Sequence, residues 1–214
     1  MKKGRFTTLL IIVAAMLMTA SCDDLLSSNE EEPSDGNGDG GTVEKGSVTI
    51  AYVEWARAVA ITHVAEEILE DNGYEVTVSA GSNSEMWQSV ADGTADAHLA
   101  AWLPNTHASQ LSSVSGQVDD LGANYTGARV GLAVPSYVSV DSLANLDASA
   151  ATFDSEIQGI DPGAGLMQTT QNAIDNDTYG LGDWALIEGS GSEMSSAVAA
   201  AVSNNEPIVA TLWQ

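Results

Sequence analysis

From Ser47 onward, apolar runs of period two alternate with runs of period 3.6, and this restricts the chain more than any other feature. Residues 48–53, Val-Thr-Ile-Ala-Tyr-Val, read as a strand. Ile61, Val64, Ala65, Ile68 and Leu69 then recur at i, i+3, i+4, i+7 and i+8, the core face of a helix ending at Gly73. Its opposite stripe is His63, Glu66, Glu67 and Glu70. Residues 74–78 read as a second strand, and Ser82 with Glu85 forms a capping box opening a short helix through Trp87 and Val90. A third strand is expected over 97–103, stopped by Pro104, and a fourth over 129–134, stopped by Pro135. After a less patterned stretch to about Ser155, residues 157–160 lead into Asp161-Pro162-Gly163-Ala164-Gly165. Leu166, Met167, Thr170, Ala173 and Ile174 give the next helix face. A strand over 184–187, a helix over 193–203 and a strand over 208–213 complete the series. Repeated βαβ units imply an α/β fold with a largely parallel sheet. The change of pattern near residues 135–155 divides it into two lobes, 47–137 and 138–214, with a hinge at the start of the second.

The residues before this region read differently. Lys2, Lys3 and Arg5 precede an apolar run over 9–18, too short for a comfortable membrane span and suited to a signal-peptide core. It closes on Thr19-Ala20-Ser21-Cys22, which resembles the lipobox of bacterial lipoproteins, where the thiol is acylated and becomes the new N-terminus. The departure is Thr19, where the usual pattern has Leu; it leaves an ordinary secretory signal as the alternative. On this reading residues 1–21 are a lipoprotein signal peptide and Cys22 is the lipidation site. Cys22 is the one cysteine, so no intramolecular disulfide forms. Residues 22–46 are an acidic, Gly/Ser-rich tether. Its Asp-Gly-Asn-Gly-Asp-Gly run has calcium-loop character but lacks the downstream Glu of an EF-hand, so a linker is the preferred reading.

Charge excludes whole classes of partner. The chain has 30 acidic residues against 6 basic ones, a formal net charge of −24. Half of the basic residues lie in the first five positions. Such a chain repels phosphate backbones, which excludes nucleic acid, and it lacks the basic patch that adsorbs to anionic lipid. Yet 44% of residues are hydrophobic, enough for a folded core. Eight acids belong to the tether, so the folded part holds 22 against Lys45, Arg57 and Arg129, near −19. Such a surface suits high ionic strength, where repulsion is screened within a few ångströms, and a salt-adapted source is expected.

Enzyme motifs are missing. Gly163-Ala164-Gly165-Leu166-Met167-Gln168 starts like a dinucleotide fingerprint, but Gln168 takes the third glycine position. There is no P-loop, zinc-protease or nucleophile-elbow signature. His63, His98 and His107 have no metal-pair spacing. A binding protein without cofactor or metal is expected rather than an enzyme.

Tryptophan at strand ends is the positive signal. Trp55 directly follows the first strand, Trp102 ends the third and Trp213 the last. In open α/β sheets the carboxyl ends of strands border the ligand crevice. Three aromatics there either pack in the core or converge into a box that attracts quaternary ammonium through cation–π interaction. Trp87 and Trp184 do not share the pattern and are assigned to packing, as His63 and His98 are to structure. Taken alone, His107 is equally a surface histidine, Gly165 a turn glycine, and Arg57 either a salt-bridge partner of Glu54 or a contact for a carboxylate.

Ala51-Tyr52-Val53-Glu54-Trp55, the Ala101-Trp102-Leu103-Pro104-Asn105-Thr106-His107 run, Gly131 to Tyr137 and Gly159-Ile160-Asp161-Pro162-Gly163-Ala164-Gly165 carry a family likeness. From Val48 to Trp213 the chain resembles the glycine betaine-binding proteins of osmoprotectant ABC transporters. The resemblance implies a two-lobed, type II periplasmic-binding-protein fold that closes on its ligand. It implies a trimethylammonium cage of Trp55, Trp102 and Trp213, and a carboxylate pocket of His107 with the amides of Gly165 and Leu166. The ligand implied is glycine betaine, with choline, carnitine or proline betaine as alternatives and a sensor or enzyme on the same lobes as a further one. The partners implied are an ABC permease and, through the N-terminal lipid, the membrane of an exported protein facing periplasm or cell exterior. Family members continue beyond the last cage tryptophan, whereas this sequence stops at Gln214, so an apparent C-terminal truncation with a loose or open cleft is also expected.

Overall fold

The computed structural model describes residues 45–214; Cys22, the segment expected to be a signal peptide and nearly all of the expected tether lie outside the described residues. Two sheets organise them. In the first, β1 (Ser47–Tyr52) lies between β2 (Glu75–Ala80) and β3 (Ala97–His98), all parallel. Helix α1 (Ala56–Asp71) connects β1 to β2, and α2 (Asn83–Asp92) connects β2 to β3. The short α3 (Ala108–Ser113) follows. The capping box at α2 is formed as the sequence anticipates: Ser82 Oγ accepts from the Glu85 amide, and the Glu85 carboxylate accepts from the Ser82 amide at 2.8 Å. Gly93 ends the helix at φ +76°, a left-handed conformation that glycine adopts without steric cost.

The second sheet has the order β4-β7-β5-β6, from β4 (Val130–Ala133), β7 (Ala210–Trp213), β5 (Glu156–Gln158) and β6 (Ala185–Ile187). Helix α4 (Gly165–Asp175) follows β5 and α5 (Gly191–Asn204) follows β6, while three 3-10 segments fill the connections. β5 runs parallel to both β6 and β7, but β4 pairs antiparallel with β7. The largely parallel arrangement therefore holds for six strands and fails at this edge. Val130–Ala133, within the segment that the sequence pattern gives to the first lobe, hydrogen-bonds in the second sheet.

Two further expectations are corrected. The third strand does not run to Leu103: it stops at His98, because the polar groups of Trp102 bond to His107 instead of a ladder neighbour. Trp102 thus sits in a loop. The core face of α1 is also not the Ile61–Leu69 stripe. Ala58 and Thr62 are buried, whereas Val64 and Ile68 are each 58% exposed. Small side chains let α1 approach β1 and β2 closely; Val64 and Ile68 are turned outward, while Ile61, Ala65 and Leu69 stay half-buried.

One apolar core cluster crosses between the lobes, joining Val53, Trp55, Met86 and Trp87 to Ile160, Ala164, Met167 and Met194. A second, around Ile157, Ile174, Leu181 and Trp184, belongs to the second sheet alone. Buried residues of both lobes thus share the first cluster.

Candidate functional site

A cavity of about 500 Å³ opens between the two sheets, and Trp55, Trp102, Trp213, His107, Gly165 and Leu166 all line it. Local structure explains how each arrives there. Trp55 is the N-cap residue of α1 and is 7% exposed. Its indole Nε1 donates to Asp161 Oδ2 at 2.7 Å, across from the first lobe to the loop between β5 and α4. Trp213 ends β7 and Trp102 lies five residues before His107, so the three tryptophans come from three different connections.

His107 is 1% exposed, so it is not a surface histidine. The amide of Trp102 donates to its Nδ1 at 3.0 Å, and its own amide donates back to the Trp102 carbonyl at 3.0 Å. An Nδ1 that accepts leaves the proton of a neutral ring on Nε2, as a donor. Burial, with a smaller contribution from His98, pushes His107 down to about 4, which keeps it neutral at ordinary pH. Its ring lies 5.8 Å from that of Trp55 and 5.8 Å from that of Trp87, the latter edge-on. Trp87 in turn meets His98 edge-on at 4.5 Å. Trp87 and Trp184 are both 4% exposed and sit in the cores, where the sequence reading assigns them.

Gly165 and Leu166 open α4. Its N-cap, Ala164, offers no side-chain cap and its first turn carries no acidic residue, so the first amides keep their capacity for an anion. What the absence of a side chain at Gly165 admits is protein: a Cβ there would meet the Thr106 carbonyl oxygen at 2.0 Å. Beside this contact Asn83 Nδ2 donates to the Gly163 carbonyl at 2.9 Å. Asp161, Gly163 and Gly165 therefore each touch the first lobe.

Sequence reasoning missed Asp161, Asn83 and Thr106 as neighbours of the site. Asp161 is 106 positions from Trp55, and nothing in spacing announces that pair. Arg57, which the sequence left open, stacks its guanidinium 3.5 Å over the Tyr125 ring. Arg57 and Arg129, two of the three cationic side chains after residue 44, both line the cavity. Among the described residues no group of three or more His, Cys, Asp or Glu is placed to hold a metal ion, and no helix is long and apolar enough to cross a membrane.

Comparison with known proteins gives this arrangement its context. The chain is 40% identical over 108 residues to the glycine betaine/carnitine transport binding protein GbuC of Listeria monocytogenes serotype 1/2a (strain 10403S). That match covers 50% of this chain and 36% of GbuC. Lactococcal OpuAC, solved closed with glycine betaine, superposes with a TM-score of 0.74 at 38% identity, over 78% of this chain and 65% of that one. ProX of Borrelia burgdorferi, a glycine betaine/L-proline-binding protein, gives 0.75 at 33% identity, over 78% and 63%. The chain thus spans less than two thirds of each of these relatives. The fold is that of the periplasmic binding proteins, as expected. Residues 46–214 match the OpuAC family throughout, and the chain belongs to it: the substrate binding domain of ABC-type glycine betaine transport systems.

Proposed function

We propose that this chain is the extracytoplasmic substrate-binding component of an ABC importer, without catalytic activity, and that it binds glycine betaine for osmoprotectant uptake. The observation that carries this reading is the convergence of three tryptophans, a buried histidine and the start of α4 on one cavity. A trimethylammonium group is bulky and weakly hydrated, and each good aromatic face contributes roughly 0.5–2 kcal/mol to holding it. No carboxylate is needed in such a cage, so inorganic cations are not collected with the ligand. The carboxylate of the ligand is suited to the amides of Gly165 and Leu166 and to the Nε2–H of His107. Arg57 and Arg129 add positive charge at the same cavity, which favours a zwitterion over choline. The volume leaves room for longer betaines, so carnitine and proline betaine stay as second ligands.

Calorimetric titration against glycine betaine, carnitine, choline and plain glycine tests the proposal. Glycine betaine is expected to bind, and glycine, which lacks the methyl groups, is not. Trp102→Ala is expected to cost betaine affinity roughly tenfold or more; unchanged binding would remove Trp102 from the cage. Turnover of an ester or amide that is lost in His107→Ala would favour an enzyme instead.

Residues 1–21 are read as the signal peptide and 22–46 as a tether lipidated at Cys22, which holds the domain at the membrane beside its permease. Cys22→Ser is expected to release the protein from the membrane fraction, and retention there would count against the anchor.

A further inference from the structure

Asp161 does not line the cavity, yet its Oδ2 accepts the Trp55 indole proton at 2.7 Å from the opposite lobe. We infer that Asp161 is a positioning residue that fixes Trp55 across the cleft and raises the preference of the cavity for a quaternary ammonium ion over a neutral group of the same shape. The inference rests on the cage reading given above.

Three observations support it. Trp55 is 7% exposed and its Nε1 is satisfied, whereas Trp87 and Trp184, also buried, keep Nε1 without a partner. Asp161 is half-buried, so its negative end is incompletely screened by water. The bond also sits in a row with Asn83 to Gly163 and Thr106 against Gly165, so the segment from Asp161 to the start of α4 meets the first lobe at three points. The chemistry follows from polarisation. An indole N–H that donates to a carboxylate shifts electron density into the ring, and a more negative ring face attracts a cation more strongly. A neutral tert-butyl group gains nothing from that charge.

The test compares two ligands of nearly identical shape, glycine betaine and its carbon isostere 3,3-dimethylbutanoate, by calorimetry on the wild-type chain and on Asp161→Asn. The asparagine keeps a hydrogen-bond acceptor and loses the charge. The expected result is a fall in the betaine-to-isostere affinity ratio of roughly 3- to 10-fold, and an equal loss for both ligands would overturn the selectivity claim. Trp55→Phe keeps a ring without the N–H, and adding Asp161→Asn to it should leave the ratio where Trp55→Phe put it; a further fall would overturn the route through the indole. In the ligand-free protein, the Trp55 indole N–H resonance, assigned by its loss in Trp55→Phe, should move upfield in Asp161→Asn and further in Asp161→Ala. An unmoved resonance would overturn the positioning. A wild-type chain that binds neither ligand would overturn the betaine reading and the selectivity claim with it, while the indole resonance still decides the bond. Far-ultraviolet dichroism identifies any variant that fails to fold, and Asp161→Glu, which retains the charge, then provides the rescue comparison.

Discussion

Gly165→Ala isolates the contribution of lobe contact to binding. A Cβ at Gly165 would lie 2.0 Å from the Thr106 carbonyl oxygen and 2.8 Å from its carbonyl carbon, where real Cβ contacts stay beyond 3.0 Å. Thr106 must therefore retreat by about 1 Å, and because the obstacle is backbone, no rotamer change relieves it. Overpacking of this kind costs about 1–3 kcal/mol. Within α4 itself alanine is favoured over glycine by up to about 1 kcal/mol, so the helix gains while the contact suffers. The penalty falls only on the arrangement in which the lobes touch. If it is carried wholly there, betaine affinity drops roughly 5- to 150-fold. Calorimetry gives the affinity and small-angle scattering the compactness of the liganded protein. Gly159→Ala is the comparison, since its Cβ would meet Met167 and the Ile187 carbonyl, both in the second lobe. It should lower the melting temperature and spare affinity among molecules that remain folded. Affinity within twofold of wild type in Gly165→Ala would refute the reasoning.

Other perturbations have equally definite outcomes. Burial depresses His98 and His107 from 6.5 to about 4 in the fold, so between those values the unfolded chain takes up protons that the folded chain refuses. Stability should fall as pH is lowered from about 6.5 to about 4, and His98→Gln with His107→Gln should flatten that part of a thermal-melt profile. Ser190→Ala removes the capping box of α5, in which the Ser190 Oγ accepts from the Glu193 amide at 3.1 Å. The loss is about 1 kcal/mol, or roughly 2–4 °C in melting temperature, with betaine affinity unchanged by calorimetry. With 22 acids against three cationic side chains after residue 44, and His63–Glu66 the one ion pair among the described residues, melting temperature should rise with added KCl. A flat or falling response would remove the case for salt adaptation.

Periodicity locates most of the elements, but not α3 or the 3-10 segments, and it is insufficient for their faces. The Ser82–Glu85 box and the Leu166, Met167, Thr170 and Ile174 stripe are local signals, and both are realised where the sequence puts them. α1 is different: its apolar stripe is real, but Val64 and Ile68 are exposed because the fit against β1 and β2 is decided by the small residues Ala58 and Thr62. The end of β4 is legible from Pro135, whereas Pro104 misleads, because the extended look of Leu-Ala-Ala-Trp-Leu at 99–103 conceals a loop bonded to His107. Of the site, the aromatic and helix-start residues stand out in one dimension because their types are unusual for their positions. Asp161, Asn83 and Thr106 do not, since a carboxylate, an amide and a backbone carbonyl acquire meaning only from the lobe they meet.

The place of β7 bears on the order in which the molecule can be made. In the first sheet β1 pairs with β2 about 28 residues on and with β3 about 47 residues on, so its loops close at lower entropic cost than the one joining β4 to β7. The second sheet has β7 in its interior, between β4 and β5, which precede it by about 80 and 50 residues. Until residues 210–213 are in place, β4 has no strand beside it, and β5 is paired on one side only. Pulse-labelled hydrogen exchange should accordingly protect the β1 amides before those shared by β4 and β7, and simultaneous protection would contradict this sequence of events. Trp213 travels on that same strand. A partly folded chain in which only the first sheet has formed therefore lacks a complete pocket, because Trp213 reaches the cavity only with β7.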